Sequence, residues 1–190
     1  MTDTAQDEAT GGERWFQQIH IDAARNATDD FNPFHDPRKA SLIRANPYAG
    51  TIVLGFQLEC LIADEVERHR AATDGDAFAQ RHALDFRNYQ LTFAGALLPE
   101  QRFGVQVKPT IVGTDPPTLT NRVVARTPDG IVMIGHVRDT AKPLVLGEVD
   151  LGALPALRHA PDREFLPGTS YFLKRKFMNT GNAKNFLAGS

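Results

Sequence analysis

The sequence predicts an α+β domain in which an antiparallel sheet wraps around one long helix. Three observations lead there. A helical apolar pattern runs from Ile52 to about Arg70, with Leu54, Leu58, Leu61 and Ile62 at i, i+4, i+7 and i+8. After Asp76 the pattern changes to alternation, as in Phe86 to Phe93, where Tyr89, Leu91 and Phe93 share one face. Asp129-Gly130 then separates two β-rich runs, which is a hairpin signal. One early helix followed by several antiparallel strands fits a sheet closed over that helix.

The elements follow in order. Residues 1–13 are polar and acidic and are expected to be a disordered tail. Trp15 to Ile21 reads as a first strand, followed by a short helix starting at Asp22, a good N-cap, and ending by Asn32, which precedes Pro33. Residues 29–38 (DDFNPFHDPR) and 46–51 (NPYAGT) are loops by composition. In the long helix, Phe56, Cys60 and Ala63 form a second apolar face, so the helix is expected to be buried on two sides. Its charged end, Ala63 to Arg70, is expected to emerge into solvent. Phe103, Val105 and Val107 alternate in a second strand, and Leu144 to Leu151 reads as a further short strand. The domain is expected to span 14–165. A C-terminal extension, 166–190, carries Tyr171, Phe172, Phe177 and Phe186 among Lys174, Arg175, Lys176 and Lys184. Its basic cluster is read either as a phosphate contact or as a solvated stretch on a docked segment.

Composition narrows the function classes. The chain of 190 residues is 42% apolar and 23% charged, with a net charge of −2, which argues against nucleic-acid or membrane binding. A single cysteine, Cys60, excludes an intrachain disulfide and a cysteine-based zinc site. His20, His69, His82, His136 and His159 show no metal-ligand spacing, so no metal is expected. The first residues lack the apolar core of a secretory leader and no run is long enough to span a bilayer. The expected location is cytoplasmic.

Chemistry concentrates in Asp30-Phe31-Asn32-Pro33-Phe34-His35. Pro33 stiffens the loop between an ionisable acceptor and a residue that both donates and accepts. Asp30 and His35 together could hold one water and move its proton. On residue types alone, a turn built by Asp and Asn with His35 capping it is an equally open reading.

That string resembles the D-x-N-P-x-H signature of the MaoC-like (R)-specific enoyl-CoA hydratases, which have the hot-dog fold. Arg87 to Val107 is similar to a strand–loop–strand stretch of that family, and the resemblance covers roughly Ile19 to Val137. It implies that Asp30 and His35 are a catalytic dyad activating water for addition to an enoyl thioester, with Asn32 bracing the loop. It also implies that Gly55, at the start of the long helix, offers its N–H to the thioester oxygen. Helix N-termini suit that role. A tight start to the helix is the plainer reading of Gly55. The implied substrate is an acyl-CoA or acyl carrier protein thioester, without cofactor, and the implied assembly is a homodimer.

The chain departs from the family at Leu54-Gly55-Phe56, where the family shows His-Gly-Met, and at Ala63, where a polar residue is frequent. Leu54 and Phe56 are read as a more apolar substrate pocket or as core. Glu59 has no pairing partner within its own helix; a buried ion pair with a strand arginine such as Arg87 and a thioesterase carboxylate are both open. Three functions follow: hydratase or dehydratase, Glu59-dependent thioesterase, and non-catalytic acyl-thioester binding.

Overall fold

The computed structural model describes residues 13–144 and the backbone of two short strands at 163–165 and 172–174. Helix α1 spans Gln18–Ala27. A 3-10 turn, Pro33–His35, and a short α2, Pro37–Ala40, follow. The long helix α3 is Gly55–Ala71 and α4 is Gly75–Arg81. The strands are β1 (Phe86–Phe93), β2 (Gly104–Val107), β3 (Ile111–Thr114), β4 (Pro117–Thr127) and β5 (Gly130–Thr140), with β6 (Arg163–Phe165) and β7 (Phe172–Lys174) forming a separate antiparallel pair.

The main sheet is antiparallel throughout, in the order β1-β5-β4-β2, with β3 also on β4. The β4–β5 hairpin pairs Thr127 with Gly130 across Pro128-Asp129, as the Asp-Gly signal predicts. Inward residues of the sheet, among them Val105, Val123, Ala125, Met133 and Val137, meet one stripe of α3 formed by Leu54, Leu58, Ile62 and Val66. Each of the Val, Leu, Ile and Met side chains among them contributes roughly 1.5–3 kcal/mol by burial. A single long helix held against one face of an antiparallel sheet is the hot-dog fold, as expected.

The helix is buried on one side only. Phe56 is 63% exposed and Cys60 is exposed, so the second apolar face looks outward. Its charged end reaches solvent at Glu67 and Arg68, but Arg70 does not. Position 70 continues the i+4 row of Leu54, Leu58, Ile62 and Val66, and Arg70 is 1% exposed. A buried guanidinium needs partners. Arg70 finds Asp139 on β5, the Asn121 Oδ1 on β4 at 2.8 Å and the Val137 carbonyl at 3.5 Å. Arg87 Nε donates to the same Asp139 at 3.1 Å, and Arg87 Nη1 donates to Glu67 at 2.9 Å. Arg87 is therefore committed to Asp139 and Glu67, not to Glu59.

The expected first strand is absent. Arg14, just before this segment, makes one antiparallel bridge with Phe103, and Trp15 to Ile21 itself leads into α1. A strand would put Ile19 and Ile21 on one face. Instead Ile19 is exposed while Ile21, Ala24 and Ala27 are buried at helical spacing. The helix starts at Gln18, with His20 Nδ1 accepting from the Gln17 N–H at 3.1 Å. Asp22 lies inside it. Residues 1–12, 145–162, 166–171 and 175–190 fall outside the described residues, and with them most of the acidic tail, the strand expected at 144–151 and most of the aromatic extension.

Candidate active site

The loop carrying Asp30 and His35 is shaped by its own side chains. Asp29, in the left-handed region at φ 51°, reverses the chain after α1, a conformation that Asp tolerates. The Asp30 N–H donates to the Arg25 carbonyl at 2.9 Å. Asp30 Oδ1 accepts from the Asn32 N–H at 3.0 Å, and Asn32 Oδ1 accepts from the Phe34 N–H at 3.1 Å. Pro33 occupies the first position of the 3-10 turn, where its missing N–H costs nothing. The turn brings His35 back toward Asp30 and leaves its side chain buried.

Two neighbouring segments clamp this loop. Gln18 Nε2 and Arg25 Nη1 on α1 each donate to the His35 carbonyl at 3.3 Å, and Arg25 also pairs with Asp36 at 3.3 Å. From the other side, the Ile52 N–H donates to the Phe34 carbonyl at 3.0 Å, and Thr51 Oγ1 donates to Gln18 Oε1 at 2.7 Å. His35 Nδ1 lies 2.8 Å from the Ile52 carbonyl oxygen. A carbonyl only accepts, so Nδ1 carries the proton and a neutral ring has its lone pair at Nε2. That nitrogen faces Asp30 Oδ2 at 3.8 Å. The separation exceeds a direct hydrogen bond. Two acceptors at this spacing suit a water that donates one proton to each.

His35 also lines a cavity of about 290 Å³ with Tyr48, Ile52, Val53, Leu54, Gly55, Leu58, Phe93, Gly95, Ala96, Leu97 and Val132. Gly55 is the first residue of α3, and Gln57 Oε1 accepts from the Leu54 N–H at 3.3 Å just before it. Helix geometry leaves the Gly55 and Phe56 N–H groups without intrahelical acceptors, at the positive end of the helix dipole. The cavity thus joins the His35 imidazole, an apolar lining and a helix N-terminus.

The structure brings together Asp30, Asn32, His35, Leu54 and Gly55, all around this cavity or on the loop at its edge. Phe56 and Glu59 are not among its lining residues. Phe56 points outward and Glu59 is half-buried on the same side of α3, where burial pushes its carboxyl above the usual range. The sequence reading missed Gln18 and Arg25, which support the loop, and Tyr48, Phe93 and Leu97, which line the cavity. Arg25 and Gln18 lie seven apart, on one side of a helix, and reading α1 as helical from Gln18 would have revealed them. Among the described residues, no group of three His, Cys, Asp or Glu could hold a metal, and no helix is long and apolar enough to cross a membrane.

No family model matches the chain, and no curated protein matches it. Solved structures similar in chain course include the following three. One is an (R)-hydratase from A. caviae involved in PHA biosynthesis, 22% identical, covering 70% of this chain and 97% of that one, with a TM-score of 0.48. Another is a protein from Archaeoglobus fulgidus, 21% identical, covering 66% and 71%, with a TM-score of 0.45. The third is the ChsH1–ChsH2 complex from Mycobacterium tuberculosis, 20% identical, covering 66% and 88%, with a TM-score of 0.40.

Proposed function

We propose that the protein hydrates enoyl thioesters, or dehydrates the corresponding (R)-3-hydroxyacyl thioesters, with Asp30 and His35 as the acid–base pair. The observation that carries this reading is the facing of His35 Nε2 and Asp30 Oδ2 at 3.8 Å, with the Nδ1 proton committed to Ile52. In hydration, the water held by both groups loses one proton to the dyad as its oxygen bonds to the β-carbon. Electron density moves through the conjugated system onto the thioester oxygen, where the Gly55 N–H stabilises it. The dyad then returns a proton to the α-carbon, so one water is added in all. The chemistry needs no cofactor. The apolar lining by Ile52, Val53, Leu54, Leu58, Leu97 and Val132 suits an aliphatic acyl group. The carrier is CoA or an acyl carrier protein.

Two copies are proposed to pair across the open edge of β1. That edge has no strand neighbour among the described residues, and Tyr89 and Phe93 beside it are exposed, as is Phe56 on α3. Unpaired edges and exposed apolar groups of this kind favour association.

Non-catalytic acyl-thioester binding draws on one contact, the Phe93 ring lying against Gly55. The test is to follow loss of the conjugated-thioester absorbance with crotonyl-CoA and longer enoyl-CoA substrates, and free thiol release in parallel. Absorbance loss without thiol release supports the hydratase. Thiol release in step with the absorbance loss indicates a thioesterase, since cleaving the thioester also destroys the chromophore, and saturable binding without turnover indicates a binding protein.

A further inference from the structure

We infer that Arg25 is a positioning residue for the dyad, holding both ends of its loop so that Asp30 and His35 face each other; the inference rests on the hydratase reading. Arg25 lies in the last turn of α1. Its carbonyl accepts the Asp30 N–H at 2.9 Å. Its Nη1 donates to the His35 carbonyl at 3.3 Å and pairs with Asp36 Oδ2 at 3.3 Å, with Asp22 Oδ1 further off at 3.8 Å. The loop from Asp30 to His35 thus begins and ends on one residue, and the 3.8 Å between His35 Nε2 and Asp30 Oδ2 is set across that loop. Gln18 also donates to the His35 carbonyl, but its other side-chain contacts are with Asp22 and Thr51.

The guanidinium is held firmly. The side chains of Arg25 and Asp36 are 16% and 14% exposed, so their ion pair is shielded from water and salt. Asp36 is itself fixed, since its Oδ1 accepts from the Arg38 N–H at 2.9 Å at the start of α2. Arg25 Nε is buried without a hydrogen-bond partner among the described residues. Burying that donor is unfavourable. An arginine that served only the C-terminal end of α1 would meet the helix dipole from solvent without this cost.

Position matters here because two acceptors share one water, and a reacting constellation tolerates errors of only about 0.5 Å. Without the guanidinium, the His35 carbonyl keeps Gln18 alone, while the Asp30 N–H stays on the Arg25 carbonyl. The two ends of the loop are then no longer tied to each other. The apolar cavity that takes the acyl group is not touched by the change.

The experiment uses Arg25→Met, which keeps the buried stem and the carbonyl bond to Asp30, with circular dichroism to verify the fold. For crotonyl-CoA hydration, kcat is expected to fall about 10–100-fold with KM within about twofold, since a displacement of about 1 Å costs about 10²-fold. The exchange rate of the His35 Nδ1 proton, held by the Ile52 carbonyl and followed by NMR of histidine-labelled protein, is expected to rise at least about tenfold as the turn loosens. A residue that only stabilised the fold would change neither readout in folded protein. A kcat within about twofold of wild type overturns the inference, and so does a lower kcat with His35 exchange unchanged. If Arg25→Met does not fold, Arg25→Lys, which keeps the charge without the planar fork, decides by the same two readouts. If wild type hydrates no enoyl-CoA, the hydratase reading falls and His35 exchange alone decides whether Arg25 positions the loop, an unchanged rate overturning it.

Discussion

His35 Nδ1 and the Ile52 carbonyl oxygen stand 2.8 Å apart, and this contact decides which ring nitrogen is available for chemistry. It also ties the 3-10 turn to the segment leading into α3, so the dyad and the helix N-terminus share one support. His35→Ala removes both the base and that support. It is expected to lower kcat by about 10²–10⁴-fold. Steady-state hydration rates, with circular dichroism to verify the fold, check this.

Gly55→Ala places a methyl group where the Phe93 ring lies. The ring is exposed and yields, and alanine gains about 1 kcal/mol over glycine within a helix. The net change in stability is therefore expected to be small in the wild-type background. In Phe93→Ala the same substitution is expected to be stabilising, with a coupling of about 0.5–1 kcal/mol between the two sites. Thermal unfolding of the four proteins in the cycle measures it.

Asp139, 3% exposed, is the shared counter-charge of Arg70 and Arg87. Asp139→Asn keeps the shape but leaves a buried guanidinium without its anion, which is expected to cost about 3–5 kcal/mol. Glu67→Ala breaks an exposed pair with Arg87 and is expected to cost no more than about 1 kcal/mol. Urea unfolding of both variants separates these outcomes.

Glu59 is held above the usual carboxylate range by desolvation. The unfolded chain ionises at lower pH than the folded one, so the folded state binds the extra proton between the two pKa values. Stability contributed by the protonated form is present below the unfolded pKa and is lost as pH rises through the folded one. Glu59→Gln removes that loss. Its Tm relative to wild type is expected to rise from pH 4 to pH 8, by a small amount because solvent screens a half-exposed group. A Tm difference that stays flat across this range contradicts it.

If Phe56 and Phe93 lie at an interface between two copies, Phe56→Asp is expected to shift the protein toward monomer. Sedimentation equilibrium of the two proteins at equal concentration shows whether it does.

What the sequence made legible depended on how locally each feature is encoded. The β1 strand is readable because Tyr89, Leu91 and Phe93 alternate, and the β4–β5 hairpin because Asp129-Gly130 marks its turn. The dyad loop is readable because Asn32 and Pro33 impose its shape within six residues. Arg70 was not readable as a core residue, since its burial depends on Asp139 and Asn121, distant in sequence. Phe56 shows the converse: helical spacing marks an apolar face without saying whether the fold covers it. The Phe93–Gly55 contact is likewise set by the packing of β1 beside α3 and leaves no local signature.

The central claim is that Asp30 and His35 act on one water. The most direct measurement is the hydration rate of an enoyl-CoA by Asp30→Asn beside wild type, with both shown to be folded. Asparagine preserves the size of the side chain and a carbonyl oxygen to accept from the Asn32 N–H, but removes the carboxylate. The account predicts that kcat falls by about 10²–10⁴-fold while KM changes little. An Asp30→Asn protein that hydrates the substrate at the wild-type rate contradicts it.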